Sequence, residues 1–73
     1  MYRYYTNIKS FITNIQKLID NLEQQGHFQD IPDLLLLKEK LLNLKQDFYN
    51  EDIEDNELKN KYVELEKIVK SYI

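Results

Sequence analysis

Residues 34–48 read LLLLKEKLLNLKQDF, and this stretch decides the fold of the chain. Apolar side chains recur in it at steps of three and four, along a row formed by Leu34, Leu37, Leu41, Leu44 and Phe48. Such steps keep one side of an α-helix turned towards a partner, as in a coiled coil. The row therefore predicts a helix that is buried along one face.

Two further rows with the same spacing lie on either side of this stretch. The first is Tyr4, Ile8, Phe11, Ile15, Leu18 and Leu22, and the second is Leu58, Tyr62, Leu65, Val69 and Tyr72. We predict helices over about residues 5–25, 32–49 and 54–72, joined by short links that make consecutive helices antiparallel. The predicted fold is all-α: a single domain, residues 1–73, forming a small antiparallel three-helix bundle with coiled-coil-like heptad packing.

Two polar segments separate the predicted helices. In the first, Gly26 suits the left-handed residue that ends a helix, Asp30 can cap the next helix, and Pro32 fits its first turn. The second segment runs from Asn50 to Asp55 and contains several residues that can cap a helix. The start of the third helix is therefore fixed only to within several residues.

The second helix has more apolar residues than one buried face needs. The additional positions are Ile31, Leu35, Leu36, Leu42 and Tyr49, and they place this helix at the centre of the predicted bundle. Two interpretations remain open: these residues widen the core of a monomer, or a homodimer or bound partner covers them. We expect concentration-dependent formation of a homodimer.

Residues with catalytic or metal-binding chemistry are scarce, since the 73-residue chain has no Cys, one His and one Gly. Thiol catalysis is excluded and zinc binding is disfavoured. One Gly is too few for a phosphate-binding loop, and the acidic run Glu51 to Glu57 lacks the Gly of a calcium loop. We predict a protein that is not an enzyme and binds no cofactor or metal.

Apolar runs in this chain are too short for a signal peptide or a membrane span. The longest, Leu34 to Leu37, is far below the roughly 18 residues of a span. We therefore expect a cytoplasmic protein with no membrane partner. Residue types with AT-rich codons, such as Ile, Lys and Asn, are abundant and Ala is absent, which indicates an AT-rich bacterial or phage genome.

The N-terminal segment is the most suggestive local feature. It combines three tyrosines and an arginine within residues 2–5, and these residue types dominate the hot spots of protein interfaces. Tyr4 and Tyr5 also fit the core face of the first helix. The candidate partner-binding residues of the whole chain are Tyr2, Arg3, Tyr5, Leu35 and Leu36.

Charges are segregated along the chain, although the net charge of −3 is too small to identify a partner. Arg3, Lys9 and Lys17 are the charged residues of the first 19 positions, and they are too scattered for a convincing phosphate track. Nucleic-acid binding is therefore disfavoured. The acidic run before the third helix fits the positive end of that helix dipole, and a basic partner that docks there is the other interpretation.

Residues 37–49, LKEKLLNLKQDFY, resemble the second helix of a family of small aspartyl-phosphate phosphatases, the Spo0E-like phosphatases. That family is a helical hairpin that docks on response regulators and carries a Ser-Gln-x-Leu-Asp signature. The apolar frame of the helix is matched by Leu37, Leu41, Leu44, Phe48 and Tyr49. Lys38 and Glu39 replace the Ser-Gln of the signature and Leu42 replaces its Asp, so the residues that would carry phosphatase activity are missing.

These features favour a non-enzymatic protein-interaction module: a small inhibitor, adaptor or regulator that binds a larger protein. One alternative is a small dimeric helical regulator associated with nucleic acid. A third possibility is a hairpin that engages signalling proteins without catalysis. Binding that weakens steeply with salt would indicate nucleic acid, whereas stoichiometric copurification with another protein would indicate the first function.

Overall fold

A computed structural model describes residues 2–50 and 55–72, and the side chains of Tyr2 and Asp55 lie outside that description. Three α-helices follow one another along the chain: α1 (Tyr2–Gln25), α2 (Ile31–Asn50) and α3 (Asp55–Tyr72). The predicted all-α three-helix bundle is confirmed. Most of the acidic run that precedes α3 in the sequence, residues 51–54, lies outside the described residues.

Contacts between side chains fix the directions of the helices. Tyr4 near the start of α1 packs against Phe48 near the end of α2, and Gln16 further along α1 accepts a hydrogen bond from Lys38 of α2. These two helices are therefore antiparallel. Only four residues separate α2 from α3, and Tyr62 of α3 also packs against Tyr4, so α3 turns back and runs parallel to α1. The bundle measures 41 × 17 × 16 Å.

The predicted rows supply most of the core. Every residue of the α2 row is buried, and so are four of the five on α3, namely Leu58, Tyr62, Leu65 and Val69. On α1 the buried residues are Ile8, Ile15 and Ile19, whereas Phe11, Leu18 and Leu22 are half-buried. Because α1 packs against both other helices, its buried residues include two from the predicted row, Ile8 and Ile15, and one from beside that row, Ile19.

The turn between α1 and α2 has the form expected from its glycine. Gly26 adopts a φ of 76°, in the left-handed region. The N–H of Gly26 donates to the carbonyl of Glu23 at 3.2 Å, and the N–H of His27 donates to that of Leu22 at 2.9 Å. This pair of bonds is the Schellman motif, which satisfies the last carbonyls of a helix. The carbonyl of Asp30 accepts the first hydrogen bond of α2, from Leu34 at 3.0 Å.

Of the five additional apolar residues of α2, Ile31 joins the core and the other four stay outside it. Leu35, Leu36, Leu42 and Tyr49 are all exposed, although α2 packs against both neighbouring helices. The interpretation of a wider monomer core therefore holds for Ile31 and is wrong for the other four, because each of these points away from the line on which the three helices meet. Among the described residues, no helix has the length and apolar character needed to cross a membrane.

Candidate functional site

The N-terminal aromatic residues do not form one surface. Tyr4 is turned into the bundle, where its ring centre lies 4.5 Å from that of Tyr62 and 6.2 Å from that of Phe48. Arg3 is exposed and Tyr5 is half-buried. Residues two apart on a helix lie about 160° apart around its axis. Arg3 and Tyr5 therefore point to different sides of α1.

Tyr5 lies on the side of α1 that faces α2. It precedes Gln16 by eleven residues, which is about three full turns, and Gln16 bonds to Lys38 of α2. The ammonium of Lys9 lies 5.8 Å from the centre of the Tyr5 ring, within the range of a cation–π interaction. The side chain of Tyr2, which was also a candidate, lies outside the described residues.

A straight apolar row runs along the same side of α2. Leu35, Leu42 and Tyr49 are seven residues apart, close to two turns, and they are exposed by 49%, 43% and 73%. Lys38 lies one turn from both leucines and donates to Gln16 of α1. The row therefore flanks the contact between the two helices, next to Tyr5. We call these four residues, Tyr5, Leu35, Leu42 and Tyr49, the α1–α2 face.

The charged side chains beside the α1–α2 face are mainly basic. Lys38 and Lys45 each lie one turn from two residues of the apolar row, and Lys9 lies against Tyr5. Two acidic residues also lie here: Glu39 occupies the far edge of the row, and Asp20 of α1 accepts a hydrogen bond from Gln16. A partner that covers this face is best matched by an apolar surface with acidic residues at its rim.

Leu36 belongs to another side of the molecule. It follows Leu35 by one residue and so lies about 100° further around α2. Lys40, four residues later on the same side of α2, lines one end of a groove between α2 and α3. The sequence grouped Leu35 with Leu36, and the structure separates them onto two surfaces.

The groove between α2 and α3 has an apolar floor and a charged rim. It encloses about 260 Å³, is open to solvent, and is lined by Lys40, Asn43, Leu44, Asp47, Lys61, Glu64, Leu65 and Ile68. Lys61 Nζ lies 3.9 Å from Asp47 Oδ2 across the groove. Leu36 and Tyr72, one turn beyond Lys40 and Ile68, extend it at its far end and are exposed by 52% and 37%. We call this surface, with Leu36 and Tyr72, the α2–α3 face.

A polar network links α1 to α3 beside the aromatic cluster. The hydroxyl of Tyr62 accepts a hydrogen bond from Asn7 Nδ2 at 3.0 Å and donates one to Glu66 Oε2 at 2.8 Å. Burial, followed by the bond to the Glu66 carboxylate, raises the pKa of Tyr62, while the bond from Asn7 acts in the opposite direction. The tyrosine is buried and fully bonded, so this network positions helices and offers no open site for chemistry.

A second hollow lies at the turn between α1 and α2. Its lining includes His27, Phe28 and Asp30, all of which are exposed. One imidazole and one carboxylate are too few donors for a zinc or calcium site. Across residues 2–50 and 55–72, no three His, Cys, Asp or Glu side chains converge to hold a metal ion.

A scan of protein-family models gives no match, and neither curated proteins nor solved structures contain one that matches this chain. An inference about function therefore rests on the exposed faces of the bundle. Sequence reasoning listed Leu42 and Tyr49 among the additional apolar positions of α2, but it named only Tyr5, Leu35 and Leu36 as partner-binding candidates. The seven-residue spacing of Leu35, Leu42 and Tyr49 is the signal that groups these three residues on one side of α2 and separates them from Leu36.

Proposed function

We propose that this protein is a non-enzymatic interaction module that binds a larger protein through its α1–α2 face. In that role it acts as a small inhibitor, adaptor or regulator. The observation that carries the proposal is the straight row of Leu35, Leu42 and Tyr49, which folding leaves exposed. Amphipathic helices dock into apolar grooves through residues with this kind of spacing.

The chemistry of the face defines the partner. An apolar groove would take the three side chains of the row, and acidic residues at its rim would meet Lys38 and Lys45. Tyr49 is the best candidate for a hot spot, because its ring is the most exposed and tyrosine is enriched among such residues. Arg3 points away from Tyr5, so a single flat partner surface contacts one of them and not both.

The test is affinity capture from the source organism, followed by binding measurements with the purified partner. Truncation of a hot spot costs about 2 kcal/mol or more, so we expect Tyr49→Ala to weaken binding roughly thirtyfold. Phe28→Ala is the matched control, since Phe28 is an exposed aromatic residue outside the face. Equal affinity of both variants and the wild type would contradict the proposed surface.

The alternative function is a regulator associated with nucleic acid, and one observation favours it. The exposed residues Arg3, Lys9 and Lys17 of α1 have no acidic neighbour in the chain before Asp20. If three phosphates were contacted, raising salt from 50 to 200 mM would weaken binding roughly fortyfold. The proposed protein complex should lose much less affinity over that range, because its face is mainly apolar.

A further inference from the structure

We propose that the α2–α3 face binds a second copy of this chain, in a dimer whose two-fold axis runs parallel to the helices. In this arrangement α2 of one copy lies against α3 of the other. The inference concerns a different surface from the α1–α2 face, so it does not depend on the proposed function. Three features of the groove support it: its charge pattern, its apolar end and its size.

The charges of the groove alternate in sign. On α2, Asp47 lies at one end and Lys40 lies two turns away towards the other end. On α3, Lys61 lies level with Asp47 at 3.9 Å, and Glu64 lies one turn further along, in the direction of Lys40. Each rim thus carries one cation and one anion in opposite order, which gives a checkerboard of four charges.

A checkerboard of this kind is self-complementary. When a second copy is rotated about an axis parallel to the helices, Asp47 faces Lys61 of the other copy and Lys40 faces its Glu64. The positions of Lys40 and Glu64 differ by about 6 Å along the axis at 1.5 Å per residue, which an extended lysine side chain spans. Each dimer therefore contains four pairs of opposite charges.

The apolar end of the groove selects this arrangement over an antiparallel one. Leu36, Ile68 and Tyr72 all lie at the same end and are all exposed. An axis parallel to the helices brings the two apolar ends together, so that Leu36 of one copy meets Ile68 and Tyr72 of the other. An antiparallel two-fold would place this end against the charged end that holds Asp47 and Lys61.

The size of the face fits a weak dimer that forms at high concentration. α2 and α3 extend about 30 and 27 Å at 1.5 Å per residue, and the bundle is 17 Å across, so the face covers roughly 500 Å² per copy, at the low end for a specific interface. Dimerisation would also cover the floor of the groove, including the parts of Leu44 and Leu65 that line it.

Adjacent leucines provide the first experiment, with oligomeric state measured by light scattering and sedimentation at micromolar to millimolar concentration. The wild type should be a dimer at high concentration. Leu36→Lys should be a monomer, whereas Leu35→Lys, a similarly exposed position on the other face, should dimerise like the wild type. Circular dichroism confirms that each variant is folded. A monomeric wild type, or equal effects of the two substitutions, would overturn the proposal.

Charge reversal provides the second experiment and tests the orientation. Lys40→Glu and Glu64→Lys should each weaken the dimer about tenfold or more, because like charges then face each other twice. An equimolar mixture of the two variants should form a heterodimer, because positions 40 and 64 again carry opposite charges across both halves of the interface. The antiparallel arrangement predicts no such rescue, so a mixture that stays monomeric would refute the proposed dimer.

Discussion

Leu41 and Leu42 make the core assignment testable with two adjacent substitutions. Leu41 lies in the middle of the α2 row with no exposed surface, whereas Leu42 is 43% exposed. Leu41→Ala removes about three carbon atoms from the core, worth about 2.4 kcal/mol at roughly 0.8 kcal/mol per buried CH₂, and leaves a cavity. We expect a loss of about 3 kcal/mol, a large part of the roughly 4–11 kcal/mol that holds a domain of this size folded.

Leu42→Ala is the matched control. The removed atoms are partly solvated before the change, and no closed cavity forms, so the expected loss is about 1 kcal/mol. The difference of about 2 kcal/mol corresponds to a difference in melting temperature of roughly 8–16 °C. Urea and thermal unfolding should be followed by circular dichroism at one low protein concentration, because self-association would stabilise the folded state. Losses that agree to within about 0.5 kcal/mol would refute the assignment of the core face, since the two sites would then be equally buried.

Two further predictions concern the α1–α3 network and the first turn. Tyr62→Phe should destabilise the bundle by about 1 kcal/mol at neutral pH. Because the pKa of Tyr62 is raised in the folded state, the stability that its hydroxyl contributes is complete below about pH 10 and is lost as pH rises through the raised pKa. If wild type and variant differ in urea unfolding by the same amount at high pH, this pH dependence is wrong. Gly26→Ala should cost about 1 kcal/mol of stability, because a φ of 76° disfavours a side chain even though the space around Gly26 is open. Gly26→Asn should cost less, since Asn tolerates the left-handed region better. Equal thermal stability of the wild type and both variants would argue against the left-handed cap.

The sequence was sufficient to predict the helices and most of the core. Steps of three and four report directly which side of a helix is buried, so every residue of the α2 row is in the core, and the row leaves out one buried residue of α2, Ile31. The same reasoning was less accurate for α1. A helix that packs against two neighbours has a wide buried face, and the choice of Ile19 over Leu18 depends on the angle between those neighbours, which a single sequence does not contain.

The interaction surfaces were harder to predict because they depend on how helices are placed side by side. Asn7 and Tyr62 are separated by 55 positions in the chain, and no local pattern links them. The N-terminal tyrosines are neighbours in sequence, but helical geometry turns Tyr4 inwards and leaves Arg3 exposed on another side. The alternating charges of the α2–α3 groove exist only once two helices are in register.

Helix propensity explains some of the exposed apolar residues of α2 better than others. Leucine is among the best helix formers, so Leu35 and Leu42 stabilise α2 even where they meet water. Tyrosine is a poorer helix former, and Tyr49 lies near the end of α2 with 73% of its surface exposed. Neither burial nor helix propensity at Tyr49 therefore stabilises the folded monomer appreciably. Tyr49 is therefore the residue of the α1–α2 face whose presence is best explained by a bound partner, and the one whose truncation should most clearly separate binding from folding.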